Sequence, residues 1–125
     1  MQLYVPVGGA DFEKTRSFAL ALAQVLERDH PDLIVTTIEK AVRKDKVLID
    51  WSQNAPSRTT VAAYSVRALD WPSVSTPVTW DEMEKALRAG DASKLRFGVD
   101  DVLARVSRHG DLLQPVLQTR QKIKT

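Results

Sequence analysis

The chain has 125 residues, of which 43% are apolar, with no cysteine and a formal net charge of +2. That size suits one ordinary domain with its own core. The lack of cysteine excludes a disulfide framework and a thiolate metal site, and no apolar run approaches a membrane span. The N-terminus, MQLYVPVGG, carries neither a basic leader nor an apolar stretch of signal-peptide length, so a cytoplasmic protein without a membrane partner is expected.

The charge is unevenly spread. Between residues 40 and 67, Lys40, Arg43, Lys44, Lys46, Arg58 and Arg67 stand against only Asp45 and Asp50. A positive excess around one carboxylate points to a polyanionic partner, nucleic acid or nucleotide. A solvated helix face followed by a loop is the plainer alternative.

In chain order, QLYVPV is rich in β-branched and aromatic types and predicts an edge strand ending at Pro6. Because it follows Met1 directly, the chain is expected to open inside a fold. After Gly8 and Gly9, Asp11 is placed to cap a helix with Phe18, Leu22, Val25 and Leu26 on its buried stripe, stopped by Pro31. Thr36 precedes Glu39 by the spacing of a capping box, which predicts a short helix over 37–44 presenting Lys40, Arg43 and Lys44. KVLID then reads as a buried strand, WSQNAPS as a turn and TTVAAYSV as the partner strand of a hairpin.

LDWPSVSTP, punctuated by Pro72 and Pro77, reads as coil. Thr79 and Glu82 form a second capping box, opening a helix through Arg88 that Gly90 ends. A last helix is predicted over 99–108, with Val99, Val102, Leu103 and Val106 on one face and Gly110 as the stop. The tail from Pro115, with Arg120, Lys122 and Lys124, is expected to fray. The division is one domain over 1–114 and a basic tail over 115–125.

The crowded polar cluster after KVLI carries the chemistry. A carboxylate at the end of a buried strand has little freedom, and a hard cation such as Mg2+ or Mn2+ takes oxygen ligands held in that way. Asp50 would be one such ligand. On a continuous strand Lys46 shares its face, while Arg58 and Arg67 would converge from the loop and the partner strand to hold a triphosphate. Alternatively, Asp50 accepts hydrogen bonds within the turn, with Ser52 and Asn54 acting likewise, and Trp51 is a packing residue. The remaining acidic pairs, Asp11 with Glu13, Asp81, Glu82 and Glu84, and Asp100 with Asp101, sit at helix starts and have a dipole role there. His30 and His109 lie at helix ends without a ligand-spaced partner.

Taken together, QLYVPV, TTIEKAVRKDKVLIDWSQN, RTTVAAYSVRA, VSTPVTWDEME and VLARVSRHGDLL resemble the polymerase domain of bacterial DNA ligase D. That is the primase-polymerase of non-homologous end joining, in the archaeo-eukaryotic primase superfamily. The similarity runs from about Gln2 to Leu113. It implies an α/β fold: part of a primase-polymerase core, with a mixed or antiparallel sheet and flanking helices. By motif match Asp50 is the third carboxylate of a Mn2+ or Mg2+ site. Arg43, Lys46, Ser52, Gln53, Arg58 and Arg67 are implied contacts to DNA or a nucleoside triphosphate. Leu69 stands where the family often has a second arginine, and Ala63 where it usually has proline.

The family's first motif, an aspartate pair, lies upstream of the strand that opens this chain. The resemblance therefore implies the C-terminal half of the domain, inactive without an N-terminal polymerase fragment, with a DNA ligase and a Ku-like protein as further partners. The alternative is a noncatalytic nucleic-acid-binding or interaction remnant of the same fold.

Overall fold

In the computed structural model, which describes residues 1–123, the Asp11 carboxylate accepts the Lys14 backbone N–H at 2.8 Å and so caps helix α1, Phe12–Asp29. A short polar side chain at this position satisfies one of the first amides, which have no partner inside the helix. The helix turns Ala19, Leu20, Ala23 and Leu26 inward, with Ala23 fully buried. Phe18, Leu22 and Val25, expected on the buried stripe, are 41–46% exposed.

The chain divides into two compact units, Val7–Thr59 with the stretch from Arg120, and Thr60–Thr119 with Met1–Pro6. In the first, β1 (Ile34–Val35) pairs in parallel with β2 (Val47–Leu48), with Ile34 opposite Val47 and Val35 opposite Leu48. Val35 is its largest fully buried side chain. The crossover contains turns rather than the helix expected over 37–44. The reason lies in Thr36, whose hydroxyl donates to the Glu27 carboxylate at 2.6 Å and whose N–H donates to it at 3.3 Å, leaving no capping box with Glu39. A run this short does not nucleate a helix unaided, and Asp45, at φ +60°, ends it in a left-handed turn.

The expected hairpin between KVLID and TTVAAYSV does not form, because β2 takes β1 as its partner. Tyr64 has φ +67°, which no strand accommodates, so only Val66–Arg67 remain extended as β3. They pair antiparallel with β4, Ser73–Val74, inside the segment expected to be coil. QLYVPV also forms no strand; Val7 alone makes a bridge, to Gln121, in the tail expected to fray. The tail adds a short helix as well, α4 (Gln114–Gln118), ahead of that bridge. Lys124 lies outside the described residues.

The second unit also holds the two helices whose ends are written most clearly in the chain. In α2, Trp80–Ala89, Thr79 and Glu82 make the reciprocal capping box, and Gly90, at φ +61°, ends the helix. In α3, Val99–His109, the Asp101 carboxylate accepts the Gly98 N–H at 2.8 Å, and Gly110, at φ +70°, stops it. Val102 is the buried residue of the predicted apolar face, whereas Val99, Leu103 and Val106 are exposed. Val74, Ala86 and Val102 form the small core of this unit. With its helices and small sheets the chain is of the expected α/β class, the sheets being one parallel and one antiparallel pair. No helix among the described residues is long and apolar enough to cross a membrane.

Polar ties reinforce both small cores. In the second unit the Arg105 guanidinium donates to both Glu82 carboxylate oxygens and to the Pro77 carbonyl, and stands 4.3 Å from the Phe97 ring centroid. The hydrogen bond from Arg105 is the main reason that the Glu82 carboxyl is lowered to about 2. A carboxyl depressed in the folded state contributes stability that is present above its ordinary value and lost as pH falls through the folded one. Thermal melts should therefore lose stability between pH 4.5 and about 2, and Glu82→Gln should flatten that dependence while lowering stability at pH 7. In the first unit the Trp51 indole N–H donates to the Thr36 carbonyl at 3.1 Å. Trp51→Phe, which keeps an aromatic ring and deletes the donor, should cost about 1 kcal/mol in chemical denaturation.

Candidate functional site

Asp50 follows β2 and precedes a single 3-10 turn, Trp51–Gln53. Its entry is fixed by the ladder: Val47 N–H donates to the Leu33 carbonyl at 2.8 Å and Ile49 N–H to the Val35 carbonyl at 3.1 Å. Its exit is fixed by Trp51, whose ring lies 5.0 Å from the Arg16 guanidinium of α1 while its N–H reaches Thr36. A cation over an indole face adds attraction to the packing of α1 on the turn. Asn54 donates its side-chain amide to the Trp51 carbonyl at 3.1 Å and closes the turn.

The Asp50 carboxylate is exposed. Ser52, itself buried, donates its hydroxyl to Oδ1 at 2.5 Å, and no side-chain cap bond to a backbone amide forms. Oδ2 has no hydrogen-bond partner among the described residues. Asp50 is thus oriented through one oxygen and open at the other. As a donor it suits a hard divalent cation, but no cluster of three carboxylates or imidazoles exists among the described residues. The chain fits one ligand of such a site.

The basic residues fall into two groups. Arg43 and Lys46 border an open depression of about 610 Å3 together with Lys40, Lys44 and Leu48, the last of these in the strand that leads to Asp50. Lys46 does not share a strand face with Asp50 as expected. The ladder begins at Val47, and the Lys46 ammonium donates to the Pro31 carbonyl at 2.7 Å. Gln53 is exposed on the 3-10 turn, and Arg58 is exposed at the end of the next turn, its N–H donating to the Ala55 carbonyl at 3.1 Å. Arg67 is not on a strand partnering KVLID; it lies in β3, in the other unit, with its side chain exposed.

Lys40, Arg43 and Lys44, expected together on a helix, do lie together, but on a turn. Two features are not apparent from the sequence. Arg16 is a remote partner of Trp51 that no local pattern announces. The second is the tie of the Tyr64 hydroxyl to Asp111 at 2.6 Å, across 47 residues.

The family model for the primase-polymerase domain of LigD matches residues 1–113. The multifunctional non-homologous end joining protein LigD of Mycolicibacterium smegmatis is 41% identical over 93% of this chain, which spans 15% of that protein's length. The bifunctional non-homologous end joining protein LigD of Bacillus subtilis is 29% identical over 88% of the chain, which spans 18% of its length. Among solved structures, the polymerase domain from Mycobacterium tuberculosis ligase D in complex with DNA superposes with a TM-score of 0.76 at 38% identity, over 88% of this chain and 36% of that one. The chain belongs to the LigD primase-polymerase domain family, of whose full-length proteins it spans a minor part.

Proposed function

We propose that this chain is the part of an end-joining primase-polymerase that grips DNA and contributes one carboxylate, Asp50, to a divalent-metal nucleotidyltransferase site, acting in the cytoplasm. The observation that carries the proposal is the state of Asp50: exposed, oriented by Ser52 through one oxygen and open at the other. A Mn2+ or Mg2+ ion bound there would supply charge neutralisation at a triphosphate. The remaining carboxylates come from polymerase sequence outside these 125 residues, in cis or as a separate N-terminal fragment.

The chain's own residues do the holding. Lys40, Arg43 and Lys44 offer cations at an open surface where a phosphate chain can lie; in the other unit, Arg67 offers an exposed cation of its own. Such contacts fix the register of nucleic acid and release counterions, so binding weakens with salt. Gln53 is exposed beside Asp50 and can hydrogen-bond a nucleotide. The structural relative in complex with DNA supports this reading. The relatives are non-homologous end joining proteins, which is why a DNA ligase and a Ku-like protein join the proposed partners.

The test is manganese-dependent addition of a ribonucleotide to primed DNA. The chain alone should add none, addition should appear when an N-terminal polymerase fragment is supplied, and Asp50→Asn should abolish it. Retention of DNA binding with no addition in the reconstituted mixture would instead favour a noncatalytic remnant. In fluorescence anisotropy, replacing Lys40, Arg43 and Lys44 by Ala should weaken binding across all DNA sequences. The slope of log K against log salt should fall by about 0.9 for each phosphate that is no longer neutralised.

A further inference from the structure

Tyr64 is held in a conformation that its side chain disfavours. At φ +67° it and Asp45 are the residues other than glycine with positive φ among those described, and for a bulky residue this region is a genuine outlier. Such backbone persists only where the surroundings over-determine it. Here they do. The Tyr64 N–H donates to the Ser75 carbonyl at 2.6 Å, and the Ser75 N–H donates to the Ser65 carbonyl at 2.9 Å. The hydroxyl donates to Asp111 Oδ1 at 2.6 Å, and the same oxygen accepts the Leu113 N–H at 2.8 Å. Tyr64, half-buried, borders a void of about 10 Å3 with Thr76, Pro77, Val102 and Val106.

Three residues further on is Arg67. Its strand is only two residues long, with Val66 opposite Val74 and Arg67 opposite Ser73. Apart from the bonds of Tyr64 and Ser65 to Ser75 that continue it, so short a ladder has little to hold its register, and a slip of one residue would send Arg67 to the opposite face. The β4 side is pinned from its other edge, where the Val74 N–H donates to the Phe97 carbonyl at 2.9 Å. The β3 side has no such neighbour among the described residues; its anchor is the turn at Tyr64, tied by the hydroxyl to the residue after the Gly110 stop of α3.

We propose that Tyr64 is a positioning residue, whose hydroxyl, held by Asp111, fixes the left-handed turn that sets the face from which Arg67 meets a nucleic-acid phosphate. The inference rests on the proposed DNA contact of Arg67. Arg67 itself makes no ion pair or side-chain hydrogen bond among the described residues, so its guanidinium is available to a ligand.

The experiment is anisotropy of the full chain with labelled primer-template DNA over a salt series, on Arg67→Ala, Tyr64→Phe and their combination. Arg67→Ala should weaken binding about fivefold or more and lower the salt slope by about 0.9. Tyr64→Phe should weaken it about threefold to fivefold by releasing the turn. The double variant should be no weaker than Arg67→Ala alone, because the hydroxyl acts only through the arginine. Asp111→Ala should reproduce Tyr64→Phe, and Asp111→Asn, which keeps the acceptor, should restore binding; this pair decides the matter if Tyr64→Phe melts below the assay temperature. An Arg67→Ala variant with unchanged affinity and slope would remove the DNA contact and the inference with it. Weakened binding by Arg67→Ala with Tyr64→Phe unaffected, or additive losses in the double variant, would overturn the positioning role alone.

Discussion

Two backbone hydrogen bonds, Val47 to Leu33 and Ile49 to Val35, decide where the DWSQN segment leaves the sheet. A parallel ladder of two residues is marginal by itself, and what makes it hold is a ring of side-chain ties around its exit. Thr36 leaves β1 and is caught by Glu27 of α1; its carbonyl in turn receives the Trp51 indole; and the indole face receives Arg16, again from α1. Helix, crossover and 3-10 turn are thereby fastened to one another within the first unit. Asp50 inherits a fixed position from ties made by its neighbours, its own side chain adding only the bond from Ser52.

The second unit solves the same problem with charge. Its buried apolar residues are Val74, Ala86 and Val102, small side chains that leave little dispersion attraction to share. Arg105 compensates by doing three things at once: it fills space against Phe97, satisfies the Pro77 carbonyl and neutralises Glu82, which is also the capping residue of α2. Its side chain is 15% exposed and that of Glu82 29%, so the pair is shielded enough to matter. Removing either partner leaves the other charge partly desolvated and loosens a helix start in the same step.

What is legible in the sequence follows from the range of the interactions involved. Asp11, Thr79 with Glu82, Gly90 and Gly110 act on residues three or four positions away, and the helices they delimit are where those residues predict them. Thr36 with Glu39 has the same spacing as Thr79 with Glu82, yet a remote carboxylate, Glu27, outcompetes the local one. Strand partners are set by more than local spacing, and the partner expected for KVLID is the wrong one because nothing in TTVAAYSV reveals that Tyr64 is left-handed. For the candidate site, the resemblance points to Asp50 and the residues beside it. The use of Lys46 on Pro31 and the seat of Arg67 in a different hairpin depend on tertiary pairing and are beyond reach of spacing rules.

The outward face of α1 has a consequence for the chain in solution. Phe18, Leu22 and Val25 recur on one side of an eighteen-residue helix, each more than two-fifths exposed. Contiguous apolar surface of this kind attracts hydrophobic dyes, detergents and other copies of itself. Excluded salts such as sulfate strengthen that attraction. At matched ionic strength sulfate and chloride screen charge alike, so any stronger self-association in sulfate reports the grease of this helix face.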